Sequence, residues 1–534
     1  METPHILTWI TSSQQRIFSD MMPTPDYKAA SVLRNEPFSF CLAYRSDYKK
    51  SDTEKIPDLP ISVRATCEGL PVAAYKLGFV PVHAYDCEDG GESRGMCPDI
   101  LLPRSADPTI VTGDCRLTYY EQNEPNQLNV SCISTNGLLF TVNEDGSMLA
   151  AGDYRVEIVV TDLRDATEIA RHTLDLHVID ACLPENDLIY TNWMHYDCIA
   201  DYHGVKLYGN AYFQVLARYV KNAVRHGMTT LLLPAFTPPL DTCEGEERTN
   251  VQLVKIYEEN GTYRFDFSLL ARFVRLVRRC GIQRFEHSHL FSQWGAYSAP
   301  NVYVQRDGSS VLRFGWKTDA SGEEYASFLR AYIPAFLAEA ERLGIADTLL
   351  FHVSDEPKIN QIDSYMRAIN LVRELIGDRL IGDALSSYEF YSEAGVRCPI
   401  VATHSIQPFD GNCDELMLYY TGGTPDVLLS NRLLFSSPQK TRILGLHLFR
   451  YRAKGFLHWG YNYYYGRMSH GFFDPKVDPY GYRNIPGASF LVYPAQNGEV
   501  LPSLREKQMC DAVNDRRALK LLESKIGYDA VLAL

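Results

Sequence analysis

The chain has 534 residues, too many for one compact core, so two or three domains are expected. Asp and Glu total 66 against 52 Lys and Arg, and the formal net charge of −14 argues against a nucleic-acid-binding protein. No uncharged apolar run reaches about 18 residues, which predicts that no helix spans a membrane.

The N-terminus and the cysteines bear on the cellular compartment. Residues 1–20 contain no basic segment followed by an apolar one, so a secretory signal is not visible. The 13 cysteines are scattered and include no CxxC pair, which is typical of reduced thiols rather than of a disulfide framework. The sequence therefore predicts a cytoplasmic protein.

Residues 1–185 have the pattern of β-structure. Short alternating runs are separated by Gly, Pro, Asn and Asp, and the clearest of them is 152–160, where alternate residues from Tyr154 onward share one face. A second run, 172–179, follows after a polar turn. Period-two patterns at this spacing predict an N-terminal antiparallel β-sandwich.

From residue 186 the pattern changes to strands alternating with helices. Four of the predicted helices end at a glycine just before the next strand, as a left-handed helix terminus requires. The alternation predicts a (β/α)8 TIM-type barrel over 186–500, with an open doubly wound sheet as the alternative. Residues 501–534 are predicted to form a helical segment that packs on the barrel. The eight predicted strands are 189–194, 229–234, 282–289, 348–354, 379–384, 399–404, 415–421 and 455–462.

The end of the fourth strand carries the most informative motif, His-Val-Ser-Asp-Glu-Pro, because barrel sites lie at the carboxyl ends of the strands. Adjacent strand residues point to opposite faces, so Asp355 and Glu356 share a cavity only if the backbone turns, which Pro357 favours. Two neighbouring carboxylates repel, and one then keeps its proton at higher pH. An acid beside an anion is what glycosidic bond cleavage needs. The alternative is that Asp355 caps the following helix.

Other strand ends supply candidates for substrate binding. His287 and His289 share a strand face, so a metal is conceivable, but no third ligand has a recognisable spacing. We therefore predict neither a metal nor a cofactor, and expect hydrogen bonds to sugar hydroxyls or packing instead. Asp383 at the fifth strand is a further candidate for binding hydroxyls. The predicted substrate-binding residues are Trp193, His287, His289, His404, Tyr419, Tyr420, Trp459 and Asn462.

The motif around Asp355 resembles the fourth-strand motif of glycoside hydrolase family 123 and of a related, mostly uncharacterised barrel family. Further stretches agree with the family patterns in the same order along nearly the whole chain. The stretch from Pro98-Asp99 onward resembles the family pattern "PDxLxP", and Gly152-Asp-Tyr154 resembles "GxY". Residues 417–421 resemble "WWYT", and residues 455–462 resemble "GxLxWxxN". Ser503-Leu-Arg505 resembles the start of the closing helix of the family.

This resemblance implies a retaining, substrate-assisted exo-β-N-acetylhexosaminidase that prefers N-acetylgalactosamine. Glu356 would be the acid/base, and Asp355 would orient the 2-acetamido group. Tyr420 would donate a hydrogen bond to the acetamide oxygen, and Trp459 would stack beneath the sugar. The chain departs from the family pattern where Leu418-Tyr419 replaces a tryptophan pair and where Tyr464 replaces a tryptophan. These changes bear on the identity of the sugar and on the requirement for its 2-acetamido group.

Two other interpretations stay open at this point. The barrel could act on a neutral or acidic sugar with a separate nucleophile, either Glu286 or Asp383. Alternatively, the protein could be a non-catalytic carbohydrate-binding relative of a hydrolase. In each case the expected partner is a carbohydrate, with no nucleic acid and no membrane, and the sequence does not predict the oligomeric state.

Overall fold

The computed structural model describes residues 5–47, 60–82, 95–104, 109–111, 134–422 and 429–534, so parts of the predicted first domain lie outside the described residues. The N-terminal region forms two five-stranded sheets. The first has the order β1 (Ile6–Ser12), β3 (Phe38–Ser46), β8 (Asn136–Val142), β5 (Val72–Pro81) and β6 (Met96–Arg104). The second has the order β2 (Ala29–Leu33), β10 (Thr167–Ile179), β9 (Gly152–Asp162), β4 (Ile61–Cys67) and β7 (Thr109–Val111).

The two sheets share one apolar core, to which Phe40 and Phe140 of the first and Val63 and Val156 of the second contribute. The alternating burial of β9 follows its alternating sequence, as predicted. Pairing is antiparallel except between β2 and β10, which run parallel. The prediction of wholly antiparallel sheets is therefore wrong at this edge. The chain reaches β2 by crossing from the first sheet, so no hairpin turn fixes its direction.

The rest of the chain is built around a curled sheet whose pairs are all parallel. Its two end strands, β19 and β20, are consecutive in the chain and separated only by Gly382 and Asp383. The strands are shorter than predicted because their carboxyl ends turn into loops. The order is β19 (Leu380–Ile381), β18 (Leu349–Phe351), β15 (Arg284–His287), β12 (Thr230–Leu233), β11 (Ile189–Asn192), β23 (Gly455–His458), β22 (Met417–Tyr419), β21 (Ile400–Ala402) and β20 (Ala384–Leu385).

Helices cover the outer face of this sheet. Their apolar sides, such as Phe273 and Phe336, form one core with outward-facing strand residues such as Phe285 and Phe351. Within the described residues, no helix is long and apolar enough to span a membrane. The helices are α1 (Tyr196–His203), α2 (Asn210–Arg225), α3 (Ser268–Arg279), α4 (Glu323–Arg342), α5 (Ile362–Ile376), α6 (Glu389–Ser392), α7 (Pro438–Arg442), α8 (Leu444–Arg450), α9 (Leu504–Ile526) and α10 (Tyr528–Leu532).

Two smaller sheets were not predicted from the sequence. Four short strands in the loops after β12 and β15 pair with one another, and a two-stranded ribbon precedes α9. The strands are β13 (Lys255–Glu259), β14 (Thr262–Asp266), β16 (Val302–Arg306), β17 (Ser309–Phe314), β24 (Tyr493–Pro494) and β25 (Val500–Leu501).

A buried ion pair joins the N-terminal sheets to the C-terminal helix. Asp99 of β6 accepts hydrogen bonds from Nε of Arg505 at 2.9 Å and from the hydroxyl of Tyr493 at 2.7 Å. Both charged side chains are fully buried. The guanidinium of Arg505 also donates to the carbonyl oxygens of Gly487 and Phe490. Two sequence motifs about 400 residues apart therefore meet in one contact.

The side chains of each parallel strand alternate between the two faces of the sheet. Met417, Tyr419 and Leu457 belong to the inner apolar cluster, whereas Leu418 and Phe456 belong to the outer core beneath the helices. This alternation decides which residues at the strand ends can reach the centre of the curled sheet.

Candidate active site

A cavity of about 190 Å³ lies at the carboxyl ends of the parallel strands. This volume is below the roughly 300–1,000 Å³ of pockets for drug-sized ligands, and it suits a single sugar ring. The lining side chains combine two acids with aromatic rings, and most belong to loops that follow the strands. They are Trp193, Leu240, Asp241, Gln293, Trp294, Asp355, Glu356, Ala384, Tyr419, Thr421, Gly422, Leu457, Trp459, Tyr482, Arg483, Ile485 and Ala488.

Both members of the acidic pair line this cavity because the chain turns between them. Glu356 has a φ of 43°, a left-handed conformation that costs a residue with a side chain about 1–2 kcal/mol. The turn is held by the Glu356 amide, which donates to the carbonyl oxygen of Ala384 at 3.1 Å. In addition, the hydroxyl of Tyr419 donates to Oε1 of Glu356 at 2.8 Å and fixes the carboxylate. Backbone strain of this kind is concentrated at functional sites.

In the part of the chain that the structure describes, the carboxylate of Asp355 lacks the kind of fixing contact that Glu356 has. Among the described residues no group donates a hydrogen bond to its carboxylate, and the following helical turn is capped by Lys358 and Gln361 instead. The helix-capping interpretation of Asp355 is therefore wrong. Burial and the charges of Glu356 and Asp383 raise the pKa of Asp355 well above its usual range, and the His352 cation opposes this rise.

The raised pKa of Asp355 predicts a stability gain in Asp355→Asn. Since the folded carboxyl binds its proton more tightly than the unfolded one, the wild type loses stability as pH rises through the folded pKa. The variant escapes this loss, so we expect its free energy of unfolding at neutral pH to exceed that of the wild type by on the order of 1 kcal/mol. Its melting temperature should then be higher than that of the wild type at neutral pH, and this difference should disappear in acid. Thermal melts at several pH values test this, with the exposed Asp378→Asn as control. A variant less stable than the wild type at neutral pH would contradict the assignment.

Two further acids, Glu286 and Asp383, are fully buried beside the site and do not line the cavity. Glu286 accepts from the hydroxyl of Thr191 at 2.9 Å and from Nε1 of Trp193 at 3.1 Å. Asp383 accepts from the hydroxyl of Tyr365 at 2.6 Å and from the amides of residues 353 and 354. These hydrogen bonds fix the position of both side chains, although Oε1 of Glu286 accepts no hydrogen bond from the described residues.

His352 lies between these two carboxylates, 3.6 Å from Oε1 of Glu286 and 3.5 Å from Oδ1 of Asp383. Both distances are too long for strong hydrogen bonds and suit ion pairs. Burial alone would lower the pKa of His352, but the two carboxylates raise it to about 10. The resulting cation compensates the buried acids.

His289 stacks on His352 with ring centroids 4.7 Å apart, and neither of its ring nitrogens has a hydrogen-bond partner among the described residues. Burial lowers the pKa of His289 well below its usual range, and the positive charge of His352 lowers it further, so this ring is neutral. In the described part of the chain, two groups bring three possible metal ligands within 4.8 Å of one another. They are His289, His352 and Asp383, and, near the surface, Cys243, Glu246 and His470.

The structure brings four of the eight predicted substrate-binding residues to the cavity or directly behind it. Trp193, Tyr419 and Trp459 line the cavity. His289 lies behind it, with its ring edge-on to Trp193 at 5.3 Å. Trp459 is packed against Tyr482, with 4.8 Å between ring centroids, and so presents a fixed aromatic surface.

The other four residues lie elsewhere, and the predictions for them are corrected here. Tyr420 points to the outer core, where its hydroxyl contacts the sulfur of Met509 at 3.4 Å, because it alternates with Tyr419. Asn462 is buried, and its amide binds both backbone polar groups of His195.

His287 and His404 are also placed away from the cavity. His287 is buried among the helices, where its Nε2 lies 2.9 Å from the hydroxyl of Tyr332, because it alternates with the inward-facing Glu286. His404 is exposed in a short helical turn that follows β21 and does not line the cavity. The shared strand face that suggested a metal pair of His287 and His289 is broken, since β15 ends at His287.

Sequence reasoning missed Asp241, Trp294, Tyr482 and Arg483, which all line the cavity from loops. Asp241 accepts hydrogen bonds from the hydroxyls of Tyr463 and Tyr482 and from the amide of residue 468. No motif marks these loop residues. Only Trp294, a tryptophan before a glycine just beyond the third strand, had a sequence signal that could have been used.

Comparisons with known proteins bear on the family and the fold of the chain. The family model described as glycoside hydrolase 123, catalytic domain, matches residues 193–522. The structure of a family 123 glycoside hydrolase from Clostridium perfringens, analysed for glycolipid glycan hydrolysis, superimposes with a TM-score of 0.71. That match has 12% identity and covers 98% of this chain and 89% of the other, so the two share a fold.

More distant structures also match. Xylanase 10B modules from Clostridium thermocellum give a TM-score of 0.33 at 10% identity, covering 96% of this chain and 95% of the other. A family 39 glycoside hydrolase from Bacteroides cellulosilyticus gives 0.34 at 9% identity, covering 86% and 78%. These scores are too low to support an argument about the fold or the site. No curated protein sequence gives a significant match.

Proposed function

The chain belongs to glycoside hydrolase family 123, and from this premise we propose that it is a retaining exo-β-N-acetylhexosaminidase that prefers N-acetylgalactosamine. Its substrate is a carbohydrate with a β-linked terminal sugar. We propose that the 2-acetamido group of this sugar acts as the nucleophile, as in the substrate-assisted exceptions to the two-carboxylate scheme.

The observation that carries the proposal is the pairing of Asp355 with Glu356 in a cavity for one sugar. A separate protein nucleophile would have to be another carboxylate with free access to the sugar. Asp241 lines the cavity but accepts hydrogen bonds from two tyrosine hydroxyls. Glu286 and Asp383 are fully buried, do not line the cavity, and are held by hydrogen bonds from Trp193 and Tyr365. These contacts favour substrate assistance over a separate nucleophile.

In the proposed first step, the acetamide carbonyl oxygen attacks the anomeric carbon while Glu356 donates its proton to the glycosidic oxygen. The leaving group departs as an alcohol, and a cyclic oxazolinium-like ion forms. For this step we propose that the proton shared by the pair lies on Glu356, and that the ionised Asp355 accepts a hydrogen bond from the acetamide N–H and stabilises the developing positive charge. Glu356 then takes a proton from water, which opens the ring at the anomeric carbon, so the configuration is retained.

We assign the acetamide oxygen contact to Tyr419 rather than to Tyr420, since Tyr419 is the tyrosine of this pair that lines the cavity. In the structure this hydroxyl donates its single proton to Glu356, so we propose that the proton turns from Glu356 to the acetamide oxygen when the substrate binds. Trp459, held by Tyr482, is assigned as the surface on which the sugar ring stacks.

We also propose that the curled sheet is a (β/α)8 barrel whose fifth strand is interrupted at Gly382 and Asp383. The end strands of the sheet order are consecutive in the chain, and this supports closure. The proposed domains remain 1–185, 186–500 and 501–534.

Hydrolysis of nitrophenyl β-N-acetylgalactosaminide and β-N-acetylglucosaminide tests the function. We expect turnover of both, faster with the first, and competitive inhibition by the thiazoline analogue of the cyclic intermediate. Turnover of an aryl glycoside that lacks the 2-acetamido group, without thiazoline inhibition, would discard substrate assistance. If no aryl glycoside is hydrolysed but sugars still bind, the result would favour a non-catalytic carbohydrate-binding protein.

A further inference from the structure

Trp294 is the aromatic residue of the cavity with the least support from the protein. Its side chain is 38% exposed, whereas Trp193 is 2% exposed. Among the described residues, the indole of Trp294 stacks on no other ring and donates no hydrogen bond. An exposed indole beside two catalytic acids loses the free energy that burial of its ring would release. Its place in the fold therefore needs another explanation.

The backbone that carries Trp294 is fixed in an unfavourable conformation. Trp294, Gly295 and Ala296 have φ values of 60°, 112° and 56°, three consecutive residues in the left-handed region. Such a run is unfavourable for a bulky side chain and persists only where surrounding contacts enforce it. The protein thus holds this ring at the cavity against the preference of its own backbone.

The enforcing contacts all come from the segment that carries the acidic pair. The Trp294 amide donates to the carbonyl oxygen of Asp355 at 2.8 Å, and Nε2 of Gln361 donates to the Trp294 carbonyl oxygen at 2.8 Å. The next residue is held in the same way, since the hydroxyl of Ser364 donates to the carbonyl oxygen of Gly295 at 2.6 Å. The position of the indole is therefore tied to the position of Asp355.

The volume of the cavity suits one sugar, and the rings of Trp193 and Trp459 that line it are packed against other rings of the protein. A ring that lines the same cavity but is partly exposed lies toward solvent, where the departing part of the substrate must extend. We propose that Trp294 is a stacking platform for a sugar ring on the leaving-group side, so that the natural substrate is a glycan of at least two sugars. This proposal rests on the proposed glycosidase function.

The test compares two substrates whose leaving groups are both simple alcohols. One is a β-linked disaccharide of N-acetylgalactosamine on galactose, assayed in its 1,3 and 1,4 forms. The other is methyl β-N-acetylgalactosaminide, which has no second ring. We expect Trp294→Asn to lower the ratio of their kcat/KM values about tenfold, and Trp294→Phe to lower it less. Asn tolerates the left-handed backbone, so this variant should keep or exceed the wild-type melting temperature.

Tyr297→Ala is the matched control, because Tyr297 is 55% exposed in the same loop but does not line the cavity. It should leave the ratio unchanged. If Trp294→Asn also leaves the ratio unchanged while the wild type hydrolyses both substrates, the platform is discarded and the glycosidase function stands. If calorimetry shows that the wild type binds neither substrate and neither is hydrolysed, the proposed function fails together with the platform.

Discussion

Glu356→Gln is expected to lower kcat/KM by about 10²–10⁴-fold for substrates with poor leaving groups, because the glycosidic oxygen then departs without a proton. The loss should shrink for a 2,4-dinitrophenyl glycoside, whose phenolate departs unprotonated. With that substrate we still expect kcat to fall, since the proposed role of Glu356 includes activating water in the second step. Steady-state kinetics over a series of aryl leaving groups, with the wild type in parallel, measures both effects.

Asp355→Asn is the matched comparison, since it changes the neighbouring acid by the same chemical substitution. Asp355 is assigned to the acetamide group rather than to the leaving group, so its loss of about 10²–10³-fold should not depend on the leaving group. Equal leaving-group dependence in the two variants would contradict the division of roles between the acids. If Glu356→Gln lowers kcat/KM by the same factor for every leaving group, Glu356 is not the acid/base.

Asp99→Ala is expected to lower the free energy of unfolding by about 3–5 kcal/mol, because it leaves the buried guanidinium of Arg505 without its counter-ion. The substitution also removes the acceptor of the Tyr493 hydroxyl. Asp99→Asn keeps an acceptor oxygen and should lose less. Chemical denaturation followed by circular dichroism gives the midpoints for all variants.

Asp175→Ala is the surface control, since Asp175 pairs with Arg155 while both side chains are about two-thirds exposed. Its unfolding midpoint should match that of the wild type, because exposed pairs contribute little. If Asp99→Ala is no less stable than Asp175→Ala, the buried pair does not join the N-terminal sheets to the closing helix.

Most elements of the fold could be predicted from the sequence because their patterns are local. The alternation in β9 and the glycines after α2, α3, α4 and α5 are each set by neighbouring residues, and the structure has these elements near the predicted positions. The parallel pairing of β2 with β10 could not be predicted, because the chain crosses from the first sheet to the second before β2 and no local turn sets the direction of this strand. The strands β13, β14, β16 and β17 were missed because they lie inside loops.

The site was only partly predictable for a related reason. The acidic pair was marked by its motif at a strand end, but the choice between Tyr419 and Tyr420 depends on strand register, where an error of one residue reverses the face. Trp294 and Asp241 belong to loops, whose course depends on long-range contacts such as the amide of Trp294 with Asp355. Asn462 was misplaced because its polar amide serves the backbone of His195 instead of a ligand.

The contacts of Arg505 also set an order of events during synthesis. Its guanidinium binds the carbonyl oxygens of Gly487 and Phe490, which flank Ala488 in the wall of the cavity. Helix α9 leaves the ribosome after every strand of the protein, and N-terminal regions of a chain fold first. The nascent chain can therefore assemble the strand that carries the acids long before this wall is anchored. We therefore expect this wall of the cavity to be completed only when α9 has docked.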